Sequence, residues 1–382
     1  MKKLPRVFLK AALIAAILIG VFAAVGLKRL GGWSLYNRLW RGRDRFPFGE
    51  NPAAAYNFSL SNLDALFAAH ALSGAPARRP NELRVVVIGD SSVWGTLLRP
   101  EETLAARLDG KTIHVDGVEL TLDVYNLGYP TLSLSKDALI LNRALAYEPD
   151  LVIWSMTFES FPIDKQLTTA LVADNIAEFR AIAQTVPLPS LENEFARTAA
   201  PAFSLNRIRR ELFDLIRLQL YGFLWSATGV DQDYPDDYLR PRTDFDADDT
   251  FHGVSGEYPL DRQAWDVLDA AAALAGETPI LFLNEPMVVS SGSNSKIRYN
   301  FYYSRIAYDA WRSRWNENCI EKGWFCVDAW DALPVERFTN SAIHYDGIGA
   351  IELSQVIIKR LPGFIDPRRP SGEDTGTAAD FR

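Results

Sequence analysis

The string Gly89-Asp90-Ser91-Ser92 directly follows Leu83-Arg84-Val85-Val86-Val87-Ile88, a short apolar and β-branched run. A strand that stops in a small polar turn and hands over to a helix presents a side chain at the carboxyl edge of an α/β sheet. Ser91 in that place is a candidate nucleophile for acyl chemistry. The first N–H groups of the following helix have no intrahelical partner, and with the positive helix end they can stabilise an oxyanion. An ordinary βα turn has the same spelling, so partner segments must decide. Asn126-Leu127-Gly128-Tyr129-Pro130 closes a second candidate strand, where Gly128 can turn its N–H toward the same edge. Ser155-Met156-Thr157-Phe158-Glu159-Ser160 closes a third, and Thr339-Asn340-Ser341-Ala342-Ile343-His344-Tyr345-Asp346-Gly347 precedes the last helix. Of the four histidines (His70, His114, His252, His344), His344 alone sits just before that helix.

The elements that must position these residues are legible in outline. Continuous apolar runs predict buried parallel strands at 83–88, 120–126, 151–154, 279–283 and 324–327. Helical periodicity predicts helices at 101–108, 134–147, 262–274, 304–321 and 348–361, with a short one at 61–72. The alternation implies an α/β fold: a three-layer α/β/α sandwich around a mostly parallel, doubly wound sheet. Residues 161–261 break the rhythm and are too long for a bare loop. Leu171, Val172, Ile176, Phe179 and Ile182 share one helical face, and Ile208, Leu212, Leu215 and Ile216 share another, so the stretch is a helical insertion. It either covers the site, faces a membrane, or packs on the main domain.

This set of segments resembles the SGNH/GDSL hydrolase family over roughly residues 83–361. The resemblance implies Ser91 as nucleophile, Ser91 and Gly128 as oxyanion-hole N–H donors, and His344 as base. Two positions depart from the family pattern. Where its third block carries an oxyanion-hole Asn, this chain has Glu159, whose charge must be neutralised, turned away or engaged elsewhere. Where an Asp usually stands three residues before the His, this chain has Ser341, preceded by Asn340. The triad then reduces to a dyad, with a backbone carbonyl or another carboxylate orienting His344; Asp328 and Asp331 are candidates. Asp90 holds the nucleophile turn through its side chain, and Asn284, with Glu285, is a candidate pocket residue at the end of the fourth strand.

Charge and composition narrow the class. The 382-residue chain is 48% hydrophobic, ample for a packed core. Of its 40 Lys+Arg and 48 Asp+Glu, residues 1–45 hold ten basic side chains and one acid, so the remainder is strongly acidic. Such a body repels nucleic acid. Residues 11–26 carry no charge and are bounded by Lys10 and Lys28, just under the ~17–25 residues that span a bilayer. Snorkelling lysines extend the reach, so the segment reads as a transmembrane anchor, with a cleaved signal peptide as rival. Flanking charge does not orient it. Cys319 and Cys326, seven apart, are a candidate disulfide or two buried thiols, and two cysteines frame no metal site. The reading divides the chain into an anchor (1–30), a juxtamembrane connector (31–80), a hydrolase domain (81–366, insertion about 161–261) and a disordered tail (367–382).

Arg298 in a polar loop is a candidate anion contact, more readily a turn residue. Asp244, Asp246, Asp248 and Asp249 alternate like a calcium loop but lack its Gly and bidentate Glu. The expectation is a membrane-anchored serine esterase or O-acyltransferase, its domain outside the cytoplasm, without cofactor or metal. The family resemblance implies a cell-envelope glycan or lipid ester as its substrate. A catalytically inactive binding or assembly protein on the same fold is the alternative; oligomeric state is open.

Overall fold

In the computed structural model, which describes residues 4–25, 45–46, 63–198, 205–228 and 239–365, the apolar runs assemble into one six-stranded sheet. The chain opens in an apolar helix, α1 (Leu4–Val25), and resumes with α2 (Leu63–Ala69) before β1 (Glu82–Ile88). A single-turn helix, α3 (Ser91–Trp94), and α4 (Leu104–Leu108) lead to the hairpin β2 (Thr112–Val115) and β3 (Val118–Asn126). Then come α5 (Leu134–Ala144) and β4 (Leu151–Met156). Four helices follow: α6 (Ala170–Asp174), α7 (Ile176–Thr185), α8 (Glu192–Arg197) and α9 (Leu205–Thr228). The pattern resumes with α10 (Asp266–Ala275), β5 (Ile280–Asn284), α11 (Arg305–Glu321), β6 (Phe325–Asp328) and α12 (Gly347–Arg360).

Strand order is β2-β3-β1-β4-β5-β6, antiparallel only at the β2–β3 hairpin. From β1 the chain winds one way to β3, then crosses back over β1 to β4 and continues through β5 to β6. The winding therefore reverses at the carboxyl end of β1, where an open α/β sheet forms its ligand crevice. Ser91 is three residues beyond the end of that strand.

The period-2 alternation of the strands builds two cores. Val86, Ile88, Val152, Trp154, Met156 and Phe282 face the layer made by α5, α6, α7, α10 and α11. Val85, Val87, Leu151, Ile153, Leu281 and Leu283 face α4 and α12. Each fully buried Val, Leu or Ile contributes about 1.5–3 kcal/mol, so a one-residue slip of β1 or β4 would exchange both sets and is strongly disfavoured. The helices thus cover both faces, as a buried parallel sheet requires.

Two differences from the sequence reading and one choice between its alternatives are informative. β2 was not expected, although Val115-Asp116-Gly117-Val118 carries the dipeptide that makes a two-residue hairpin turn, with φ of 49° and 83° at its centre. The insertion splits in two. Leu171, Val172, Ile176, Phe179 and Ile182 join the main core, whereas α9 runs alongside α1. Cys319 and Cys326 form a disulfide that staples the end of α11 to the start of β6. Most of the predicted connector, the 26–30 end of the predicted anchor and the whole tail lie outside the described residues.

Candidate active site

The nucleophile turn is built from three local choices. Asp90 caps α3 by accepting the Ser92 N–H at 2.8 Å, and Gly95, at φ 91°, ends the helix after one turn. Gly89 permits the close approach of β1 to β4, since a Cβ there would lie 2.9 Å from the Ser155 carbonyl oxygen and 2.6 Å from Val93 Cγ2. The result leaves the Ser91 side chain only part-buried at the sheet edge while Ser92, Val93 and Trp94 are buried. None of the hydrogen bonds among the described residues uses the Ser91 N–H.

His344 arrives on a tight loop. Phe338 and Tyr345 bridge antiparallel, Thr339 N–H donates to the His344 carbonyl at 2.7 Å, and Asp346 caps α12 through the Gly349 N–H. This loop brings His344 Nε2 to 2.7 Å from Ser91 Oγ, across 253 residues of sequence. On the other ring edge, Nδ1 lies 2.8 Å from Asn340 Oδ1. An amide oxygen only accepts, so Nδ1 carries the hydrogen and Nε2 is left to accept from Ser91. Asn340, four residues before the histidine, therefore orients it. The expected backbone carbonyl or carboxylate is not the partner. Asp328 is engaged by Arg312 Nε and Nη2, each at 2.7 Å, and by Asn284 Nδ2 at 2.8 Å. Asp331 has no bond to His344 among the described residues. The protein desolvates the imidazole and pushes its pKa down to about 4, so the neutral, proton-accepting form persists through neutral pH.

Gly128 approaches α3 so closely that a Cβ would lie 2.2 Å from the Trp94 amide nitrogen. Its N–H donates to Asn126 Oδ1 at 2.9 Å, so this glycine provides steric room, and its N–H is engaged in the resting structure. Asn126 in turn donates from Nδ2 to the Val93 carbonyl at 2.9 Å, tying the end of β3 to α3. A Gly128→Ala substitution must displace backbone and is expected to destabilise by about 1–3 kcal/mol. Urea unfolding of the variant measures this, and an unchanged midpoint would show that the contact is not tight.

Glu159 is buried and engaged elsewhere, the third of the options that its sequence position left open. It pairs with Lys165 and with His252 Nε2 at 3.1 Å. Burial pushes its carboxyl up, but the His252 hydrogen bond and the Lys165 ammonium outweigh this and hold it below the ordinary range. The loop around it is fastened by Tyr303, whose hydroxyl meets Thr157 Oγ1 and accepts the Glu159 N–H at 3.3 Å.

Several supports were not singled out by sequence reasoning. Lys136, fully buried, donates to the Gly89 carbonyl at 2.7 Å and the Tyr129 carbonyl at 3.0 Å, clamping the loops that flank Ser91 and Gly128. Its charge is met by Asp137 at 2.6 Å, whose own pKa burial raises to about 6 against the pull of Lys136. Arg45 donates to the Trp94 and Gly95 carbonyls, each at 2.8 Å, and lies over the Trp94 ring. His70 Nδ1 accepts the Leu72 N–H, so Nε2 donates to the Asn126 carbonyl at 2.8 Å. No local pattern marks such residues, because each has at least one partner 40 or more positions away.

The remaining candidates serve structure. Asn284 is fully buried against Tyr308 and Asp328 and belongs to the core beneath the sheet edge. Arg298 donates to five backbone carbonyls, those of Asp248, Thr250, Asn300, Phe301 and Tyr302, and so organises its loop. Asp244 and Asp248 cap the N–H groups of Ser293 and Thr250.

No family model and no curated protein matches the chain. Solved structures do. A member of the lipolytic protein G-D-S-L family from Veillonella parvula is 9% identical, with 72% of this chain and 96% of that one covered at a TM-score of 0.35. Est24, a carbohydrate acetylesterase from Sinorhizobium meliloti, is 15% identical, with 74% and 99% covered at a TM-score of 0.31. The aryl esterase of M. smegmatis is 12% identical, with 74% and 100% covered at 0.34.

Proposed function

We propose that this protein is a membrane-anchored serine ester hydrolase or O-acyltransferase. The observation that carries the reading is the Ser91–His344–Asn340 relay, with hydrogen bonds of 2.7 and 2.8 Å, at the switch point of the sheet. His344 Nε2 takes the Ser91 proton as Oγ attacks an ester carbonyl. The Ser91 N–H is placed to meet the developing oxyanion, and the Gly128 N–H joins it on release from Asn126. Such donors are worth about 3–4 kcal/mol of barrier each. His344 then protonates the leaving alcohol. Water, or the hydroxyl of an acceptor, takes the acyl group from Ser91.

An ester of a cell-envelope glycan or lipid suits the rest of the chain. α1 is the one helix among the described residues long and apolar enough to cross a bilayer. Its 22 residues span about 33 Å. A disulfide suits an oxidising compartment outside the cytoplasm. A cleaved signal peptide remains the rival for α1, and fractionation of full-length protein into the carbonate-resistant membrane pellet decides between them.

The second reading, a binding protein on the same fold, draws on two observations: Glu159 stands where the family has an oxyanion-hole amide, and the Gly128 N–H is engaged. Purified full-length protein incubated with acetylated glycans and with p-nitrophenyl acetate separates the readings. Acetate release that saturates with substrate is the expected result. Folded protein that releases no acetate from any of them favours binding.

A further inference from the structure

Beneath the nucleophile turn lies a pair of buried acids. Asp90 and Glu285 are each 2% exposed. Asp90 Oδ1 accepts the Ser92 N–H at 2.8 Å. Glu285 Oε2 accepts from the Ser92 hydroxyl and, at 3.2 Å, from the Ser155 hydroxyl. The other oxygen of each, Asp90 Oδ2 and Glu285 Oε1, is buried with no donor among the described residues. Both acids are tied to the same residue, Asp90 to the Ser92 N–H and Glu285 to the Ser92 hydroxyl. Two carboxylates packed together away from water cannot both ionise, and one shared proton satisfies both orphaned oxygens at once.

We propose that Glu285 is a positioning residue that stays protonated and donates its Oε1 hydrogen to Asp90 Oδ2, fixing the cap that holds Ser91 against His344. The surroundings assign the proton to Glu285. Burial pushes the Asp90 carboxyl up, but Asp90 also accepts a backbone N–H and feels the Lys136 ammonium, both of which favour its charged form. Glu285 is met by two neutral hydroxyls and by the negative charges of Asp90 and Asp137; burial first, then those charges, push it well above the ordinary carboxylate range. With Lys136 positive and Asp137 and Asp90 negative, a neutral Glu285 keeps the buried cluster at one net charge. The bond matters to catalysis through Asp90, because Asp90 is the N-cap of α3, whose first residue is Ser91. The catalytic part of this inference rests on Ser91 being the nucleophile.

The test uses the full-length protein with Glu285→Gln and Glu285→Ala. Gln keeps a donor for Asp90 and an acceptor for the two hydroxyls, so kcat is expected within about threefold of wild type. Ala leaves Asp90 Oδ2 and both hydroxyls without a partner, and kcat should fall about 100-fold at nearly unchanged KM. Infrared spectra at neutral pH should show the carbonyl stretch of a protonated carboxyl group in wild type and in Ser91→Ala, and lose it in Glu285→Gln. Absence of that band from the wild type, or equal losses of kcat in the Gln and Ala variants, overturns the proposal. A band that vanishes in Glu285→Gln while the wild type cleaves no ester upholds the acid pair and removes only the Ser91 reading.

Discussion

Replacing Ser91 with alanine is expected to lower kcat/KM for ester cleavage by roughly 10⁴-fold or more, with the protein still folded. The size follows from the role: without Oγ there is no acyl-enzyme, and only binding and whatever oxyanion stabilisation remains can assist direct attack by water. Stability should barely change, because the Ser91 side chain is only part-buried and its one side-chain hydrogen bond goes to His344. The cap of α3 is made by Asp90 and the Ser92 N–H, neither of which is touched. Steady-state kinetics on an activated ester together with a thermal melt check both halves. A variant that keeps a tenth of the activity would mean that the hydroxyl does not attack.

His344→Ala should cost a similar factor, since nucleophile and base act as one unit and their losses do not add. The histidine also makes a pH prediction. Its pKa is lowered to about 4 by desolvation, so the acid limb of kcat/KM should fall near pH 4 rather than near 6.5. A carboxylate beside Nδ1 favours the imidazolium, so Asn340→Asp is expected to move that limb up by about 1–2 pH units. Asn340→Ala should lower kcat while leaving the limb low, because it frees the ring to rotate without adding charge. The sign for stability is the reverse of a salt-bridged histidine. A depressed folded-state pKa gives stability that is complete above pH 6.5 and is lost as pH falls through about 4. A wild-type limb near pH 6.5 that ignores both substitutions would remove Asn340 from the relay.

What the sequence made legible follows the physics of burial. Strands β1, β4 and β5 are apolar on both faces because helices cover both faces, so each reads as a continuous run. The sheet-edge rule places Ser91 and the loop of His344 on one rim, and the structure brings the two side chains into contact. The partner of Nδ1 was not legible beyond a list of candidates. A position three residues ahead of the histidine suggested nothing useful at Ser341, and only the loop closed by Phe338 and Tyr345 turns Asn340 inward. The fate of Glu159 depends on His252, 93 residues away, at a positive φ of 51°. Lys136 was hidden for a different reason: a lysine within a helix normally signals a solvated face, whereas this one is buried with two carbonyls and a carboxylate.

The chemistry stands on the side chains of this chain. Two features around the reacting atoms set this site apart. Asn340 Oδ1 lies against His344 Nδ1, and Glu159, Lys165 and His252 form a polar cluster. These are places where a substrate of particular shape or charge can be selected without altering the fold.

Covalent capture puts the core of this account at greatest risk. Full-length protein treated with a fluorophosphonate and digested should yield one phosphonylated peptide, modified at Ser91, with the adduct absent from Ser91→Ala and sharply reduced in His344→Ala. Modification of some other serine, or labelling that persists undiminished when Ser91 is removed, would contradict it.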